Sequence, residues 1–253
     1  MKLEFRELGA GEPIVILHGL FGSSRNWMSI ARELSVANHI FTLDLPNHGE
    51  SSWMEAMSYE SLSSIIAEFL VKNGLKGATV LGHSMGGKVA MTMALTEPEL
   101  IGRLIVVDIA PVEYDHENLS IINALESINL TLVKTRSDAD GYLKRNISDQ
   151  ILRSFLLQNL VFIEDKYEWR INIPIIKANL DKIHGFPSFA QNIFFDGPTL
   201  FIAGANSKFI EQSHYSKIGR LFPKSSVERI ADASHWLHAD NPKAFLRAVN
   251  QFI

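Results

Sequence analysis

Several short runs along the chain are apolar almost throughout and are bounded by Gly, Pro, Asn or Asp: Ile14–Leu17, Ile40–Leu43, Ala78–Leu81, Leu104–Val107 and Thr199–Ile202. Runs of this length suit strands buried on both faces, as in a parallel sheet. The segments between them carry helical spacing. From Tyr59 to Lys72, for example, Leu62, Ile65, Ile66, Phe69 and Leu70 fall on one stripe. Alternating strand and helix signals predict an α/β fold, a mostly parallel twisted sheet flanked by helices with right-handed crossovers. The opening residues Met1–Leu8 alternate charged and apolar side chains and read as a first strand.

The alternation breaks from about Val112 to Ile193. There the spacing is helical, as in Leu119–Ile128 and Ile147–Leu160, and the strand signal disappears. It returns at Thr199, just after Gly197 and Pro198. Residues 112–193 are therefore expected to form a helical cap inserted in one core domain made of residues 1–111 and 194–253. No internal repeat and no low-complexity linker interrupts this plan.

At 253 residues the chain can bury a real core in one large domain. With 46% hydrophobic and 21% charged residues it is an ordinary globular sequence. A net charge of −4 gives no electrostatic reason to expect nucleic acid or an anionic membrane as partner. No run approaches 18 apolar residues, so membrane insertion is not expected. The absence of cysteine excludes disulfides, a thiol nucleophile and a thiolate metal site. Together with an N-terminus that lacks the apolar core of a secretory signal, this favours the cytoplasm.

The chemistry concentrates at Gly82-His83-Ser84-Met85-Gly86, a G-x-S-x-G motif followed by Gly87. An apolar strand precedes it and a helical run, Gly87–Leu95, follows, which is the context a nucleophile elbow needs. Ser84 must project from a sharp turn, and Gly82 and Gly86 let the neighbouring backbone pass. A serine is a weak nucleophile without a base and an acid. His235, in the loop after the apolar run Val227–Ile230, is the candidate base. His83 sits beside Ser84 and is expected to point elsewhere, His238 to begin the last helical region, and His48 to lie in an early loop; His39, His116, His184 and His214 lack supporting context.

Two strand ends can supply the acid. After Thr199–Ala203 comes Gly204-Ala205-Asn206-Ser207, and the position where an acid is expected holds Ser207, which carries no charge. Asp108 ends the run Leu104–Val107 on the carboxyl edge of the sheet, where active-site groups collect. Asp108 is the candidate acid, Asp232 the alternative, and Ser207 a fourth member hydrogen-bonded to the His–Asp pair. His18-Gly19-Leu20-Phe21-Gly22 follows the strand Ile14–Leu17, and a backbone N–H of Leu20 or Phe21, with that of Met85, is expected to form the oxyanion hole. His18 itself and the turn Asp44–Ser51 read as structural.

On these motifs the chain resembles the α/β-hydrolase fold family over essentially its whole length. His18–Ser23, Gly82–Lys88, Val107–Pro111 and Gly204–Ser207 are similar to the YbfF-type bacterial esterases within it. The resemblance implies an acid after the sixth strand, which supports Asp108, and a serine near the triad, which fits Ser207. It also implies esters with a small or medium acyl group, with acyl-CoA thioesters as a further class.

The expected function is thus a serine hydrolase of carboxylic esters or thioesters, with a small molecule as partner, no cofactor, and no metal, since no ligand-spaced cluster is present. Oligomeric state is left open. Phe21, Met85, Phe155, Trp169 and Trp236 are candidates for the substrate pocket, and Lys144, Arg145 and Arg153 for attracting a phosphate such as that of CoA. A lyase or transferase on the same triad remains open, because the fold hosts such reactions. So does a non-catalytic binding protein.

Overall fold

The computed structural model describes residues 1–114 and 118–253; His116 lies outside them. In chain order the elements are β1 (Phe5–Leu8), β2 (Glu12–Leu17), α1 (Met28–Leu34), β3 (Asn38–Leu43), α2 (Tyr59–Lys72), β4 (Ala78–His83), α3 (Met85–Thr96), β5 (Ile101–Val107), α4 (Asn118–Glu126), α5 (Arg136–Leu143), α6 (Gln150–Leu156), β6 (Leu160–Ile163), β7 (Lys166–Trp169), α7 (Ile173–Ala178), α8 (Leu180–His184), β8 (Thr199–Gly204), α9 (Tyr215–Leu221), β9 (Ser225–Ile230), α10 (Leu237–Asp240) and α11 (Pro242–Phe252). Seven strands form one sheet in the order β1-β3-β2-β4-β5-β8-β9. Only β1 runs antiparallel to its neighbour. Every other pair is parallel.

Alternate residues of the central strands serve two cores, because successive side chains leave a strand on opposite faces. Ile14, Ile16, Ile40, Leu81, Ile105 and Val107 face α1, α10 and α11. Val15, Leu17, Phe41, Leu43, Val80, Leu104 and Val106 face α2, α3 and the segment between β5 and β8. Burial on both faces explains why these strands read as unbroken apolar runs.

Between β5 and β8 the structure corrects the sequence reading. The helical expectation over Ile147–Leu160 is met only by α6 and a short 3₁₀ turn, and a β-hairpin follows, with Leu160 paired to Trp169 and Ile163 to Lys166. Its two-residue turn, Glu164-Asp165, has φ of 46° and 64°. Both are left-handed, as the tight hairpin turn that matches strand twist requires. Because no glycine announced the turn, the apolar run Leu160–Ile163 merged with the helical pattern before it.

This segment is tied to the sheet by buried amides. Asn159 Nδ2 donates to Phe21 O at 2.7 Å. The Asn172 backbone N–H donates to Asn47 O at 2.9 Å and its side chain to Asn47 Oδ1 at 3.1 Å. Asn47 has φ 66°, a conformation asparagine tolerates better than most residues.

Candidate active site

Strand β4 ends at His83, and helix α3 begins at Met85. Ser84 between them has φ 52° and ψ −119°. A non-glycine residue there is strained, and the strain turns the chain sharply enough to present the side chain above the sheet edge. The neighbours are glycine for steric reasons. A Cβ on Gly82 would lie 2.2 Å from Gly86 O, and one on Gly86 2.4 Å from Leu17 O and 2.5 Å from His18 O.

Asp108 follows β5, the fifth strand of this chain, where the resemblance implied an acid after the sixth. Its φ is 51° and its side chain is fully buried. Three donors satisfy its carboxylate. Gly204 N–H donates to Oδ1 at 3.0 Å. The Ser207 hydroxyl donates to Oδ2 at 2.5 Å, and His235 Nδ1 lies 2.8 Å from that same oxygen. A buried carboxylate that accepts this bond fixes the His235 tautomer and leaves Nε2 as the free base. Asp232, the alternative acid, is exposed in a turn.

The His235 ring packs against Phe209 at 4.1 Å and His83 at 4.7 Å between centroids. His83, expected to point elsewhere than Ser84, is engaged with the His235 loop. Its Nε2–H donates to the backbone carbonyl of His235 at 2.9 Å. Burial, with the nearby His235 and His238, holds the His83 pKa well below that of a free imidazole. His238 is stacked on Trp27 at 4.1 Å, and burial pushes its pKa down to about 4.

The loop after β2 supplies the second wall. Phe21, with φ 60°, spends its N–H on His48 Nε2 at 3.3 Å. His48 donates from Nδ1 to Pro46 O at 3.0 Å, and burial pushes its pKa down to about 3, so it is neutral and its Nε2 can accept. Of the two sequence candidates, Leu20 is the one whose N–H is not claimed in this way. His18, as expected, is structural: Nδ1 donates to Gly19 O and Nε2 accepts from Leu45 N–H. The Asp44 carboxylate ties the next turn by accepting from Ser24 and Glu50 N–H.

Two cavities meet at Ser84. One, of about 400 Å³, is lined by Leu20, Tyr59, Met85, Lys88, Ile183 and Phe209 among others. The other, of about 270 Å³, includes His235, Phe155 and Trp236; the last two rings pack at 5.5 Å. Phe21 also faces the second cavity. Trp169 lies on β7 opposite Leu160 and lines neither. Nor do the three basic residues make one anion seat. Arg153 is buried, its Nε donating to Asp140 Oδ1 at 2.7 Å and its Nη1 to the carbonyls of Ile147 and Ser148, while Lys144 and Arg145 are exposed. Among the described residues no group of three or more metal-ligating side chains converges, and no helix is long and apolar enough to cross a membrane.

The model of the α/β-hydrolase fold matches residues 12–242. The chain belongs to the α/β-hydrolase fold family. A solved marine microorganism esterase is 39% identical, superposes with a TM-score of 0.97, and is matched over 100% of this chain and 99% of its own. The sn-1-specific diacylglycerol lipase ABHD11 of Danio rerio is 39% identical over 97% of this chain and 79% of that protein. Esterase YbfF of Escherichia coli is 32% identical over 100% and 99% respectively. These relatives place the chain among the ester-hydrolysing members of the α/β-hydrolases. Sequence reading missed the parts played by His83, Phe209 and Asn159, and placed His48 only within a structural turn. Only His83, next to the nucleophile, carried a positional hint.

Proposed function

We propose that this α/β-hydrolase cleaves carboxylic esters through an acyl-enzyme on Ser84, with His235 as general base and Asp108 as the acid that orients it. The observation that carries the proposal is the Asp108 carboxylate, fully buried and shared at Oδ2 between His235 Nδ1 and the Ser207 hydroxyl. His235 Nε2 takes the Ser84 proton as Oγ attacks the carbonyl carbon. The carbonyl oxygen becomes an oxyanion, received by the N–H groups of Leu20 and Met85. His235 then protonates the leaving oxygen, the alcohol departs, and water repeats the sequence on the acyl-enzyme. Ser207 is a positioning residue that holds Asp108. Thioesters follow the same steps with a thiol as leaving group and fall within the proposal. Residues 112–193 are the cap that closes over Ser84.

The test is hydrolysis of p-nitrophenyl esters by wild type, Ser84→Ala, Asp108→Asn and Asp232→Asn. Ser84→Ala and Asp108→Asn are expected to lose about 10³- to 10⁴-fold in kcat. Asp232→Asn keeps wild-type activity. Full activity in Ser84→Ala, or equal losses in Asp108→Asn and Asp232→Asn, would overturn the assignment. Tight ligand binding by a wild type that turns nothing over would favour the non-catalytic reading.

A further inference from the structure

Helix α8 points its C-terminal end at the 400 Å³ cavity, and the carbonyls there have unusual partners. The last carbonyls of a helix have no partner within it and must find one elsewhere. Tyr59, at the start of α2, donates its hydroxyl to Ile183 O at 2.5 Å. Lys88, one turn beyond Ser84 on α3, donates its ammonium to His184 O and to Gly185 O, both at 2.6 Å. A cation at a helix C-terminus is also favoured by the helix dipole. The Lys88 side chain is among the largest fully buried in the chain, and its Nζ lies 4.8 Å from the Tyr114 ring centroid. Tyr114 in turn donates its hydroxyl to Phe209 O, and the Phe209 ring packs on His235. One network thus runs from the end of α8 through the nucleophile helix to the candidate base.

The two cavities differ in one respect that fixes their use. The leaving oxygen must receive its proton from His235, so the leaving group lies on the side His235 lines, the 270 Å³ cavity. The acyl chain is left with the cavity lined by Tyr59, Lys88 and Ile183, which His235 does not line. One wall of that cavity is the end of α8, which contributes Ile183 and His184.

We propose that Lys88 and Tyr59, by clamping the C-terminal end of α8 through its carbonyls, set the upper limit on the acyl chain that the enzyme accepts. This rests on the hydrolase reading above. Lys88 is a positioning and specificity residue: it touches the cavity wall and takes no part in proton transfer. Without the clamp, Ile183 O and Gly185 O lose these donors while His184 O keeps the Tyr114 N–H at 3.1 Å, and the wall bearing Ile183 and His184 moves out, admitting longer chains. Leaving-group preference moves far less, because α8 reaches the second cavity through Asn118, which lines both cavities and donates to His184 Nε2 at 2.9 Å, and not through the clamped carbonyls.

The experiment measures kcat and KM for p-nitrophenyl acetate, butyrate, hexanoate and octanoate, and separately for acetates of several alcohols. It uses wild type, Lys88→Met, Tyr59→Phe and Ser84→Ala, each checked for folding by thermal melt. Lys88→Met is expected to raise the octanoate-to-butyrate ratio of kcat/KM at least fivefold, chiefly through a lower KM for octanoate. Tyr59→Phe, which loses one of the three bonds, moves it the same way by less. Relative rates on the alcohol series stay within twofold of wild type. If Lys88→Met does not fold, Tyr59→Phe alone decides. An unchanged acyl profile in every folded variant overturns the proposal, as does a shift in the alcohol series in place of the acyl series. Residual full activity in Ser84→Ala would show that the hydrolase reading itself has failed.

Discussion

Lowering the pH from 6 to 5 should destabilise this protein steeply, and the histidines set the slope. His48 is buried with its pKa pushed down to about 3, His238 to about 4, and His83 well below its usual value, each chiefly through burial. His48 and His238 are neutral in the fold at pH 5. In the unfolded chain each has a pKa near 6.5 and is protonated there. Unfolding in this window therefore takes up about two protons at these sites. Each proton is worth about 1.4 kcal/mol per pH unit, so stability should fall by about 2.5 kcal/mol between pH 6 and pH 5, and the lowered pKa of His83 acts in the same direction. His18, whose pKa burial also lowers, adds to the fall. The loss begins near pH 6.5 and flattens as the pH approaches the folded-state values of about 4 and about 3. Lys88, which burial lowers to about 7, titrates above this window and contributes nothing within it. Against a typical domain stability of about 5–15 kcal/mol, such a loss is a large share. The assay is urea unfolding at pH 7.5, 6.0, 5.5 and 5.0, followed by tryptophan fluorescence. His48→Asn and His238→Phe should each flatten the slope by about one proton. A loss below about 1.5 kcal/mol across this unit, equivalent to a single proton or fewer, would refute the reasoning.

Two further outcomes follow from the same geometry. Gly86→Ala drives a Cβ into two backbone carbonyls of the β2 end, at 2.4 and 2.5 Å, and should cost about 3 kcal/mol or more, seen as a lowered midpoint in urea. Ser207→Ala removes a charge-assisted donor from Asp108 but leaves the Gly204 N–H and His235 in place, so kcat should fall about tenfold with KM little changed; a loss as deep as that of Asp108→Asn would mean that Ser207 does more than position the acid.

Much of the core was legible because its physics is local. Strands buried on both faces need apolar residues at consecutive positions, and Ile14–Leu17 or Leu104–Val107 show that directly. Ser84 was legible as the candidate nucleophile because the elbow demands small residues at fixed offsets, and Asp108 as the candidate acid because it ends such a run. What could not be read depends on contacts between distant residues or on backbone angles. His83 looks idle until β9 and its loop bring the His235 carbonyl to it. Arg153 looks like a solvated cation until Asp140 and two carbonyls close around it. The positive φ of Glu164 and Asp165 left no glycine to mark the hairpin turn. Lys88 stood in plain view after Gly86-Gly87, but nothing in the sequence indicates that its ammonium is buried against the end of a helix nearly a hundred residues away.

The chain leaves the sheet at Asp108 and re-enters it at Thr199, and those two points belong to neighbouring strands, with Leu104 registered against Thr199. The acid bridges the gap: its N–H donates to Ile202 O, and its carboxylate accepts from Gly204 and Ser207. The seam is sewn shut beneath the excursion, whatever the excursion contains. Under the proposed mechanism, the segment between these two points can be lengthened, shortened or exchanged, and the substrate changed with it, without moving the groups that handle the proton.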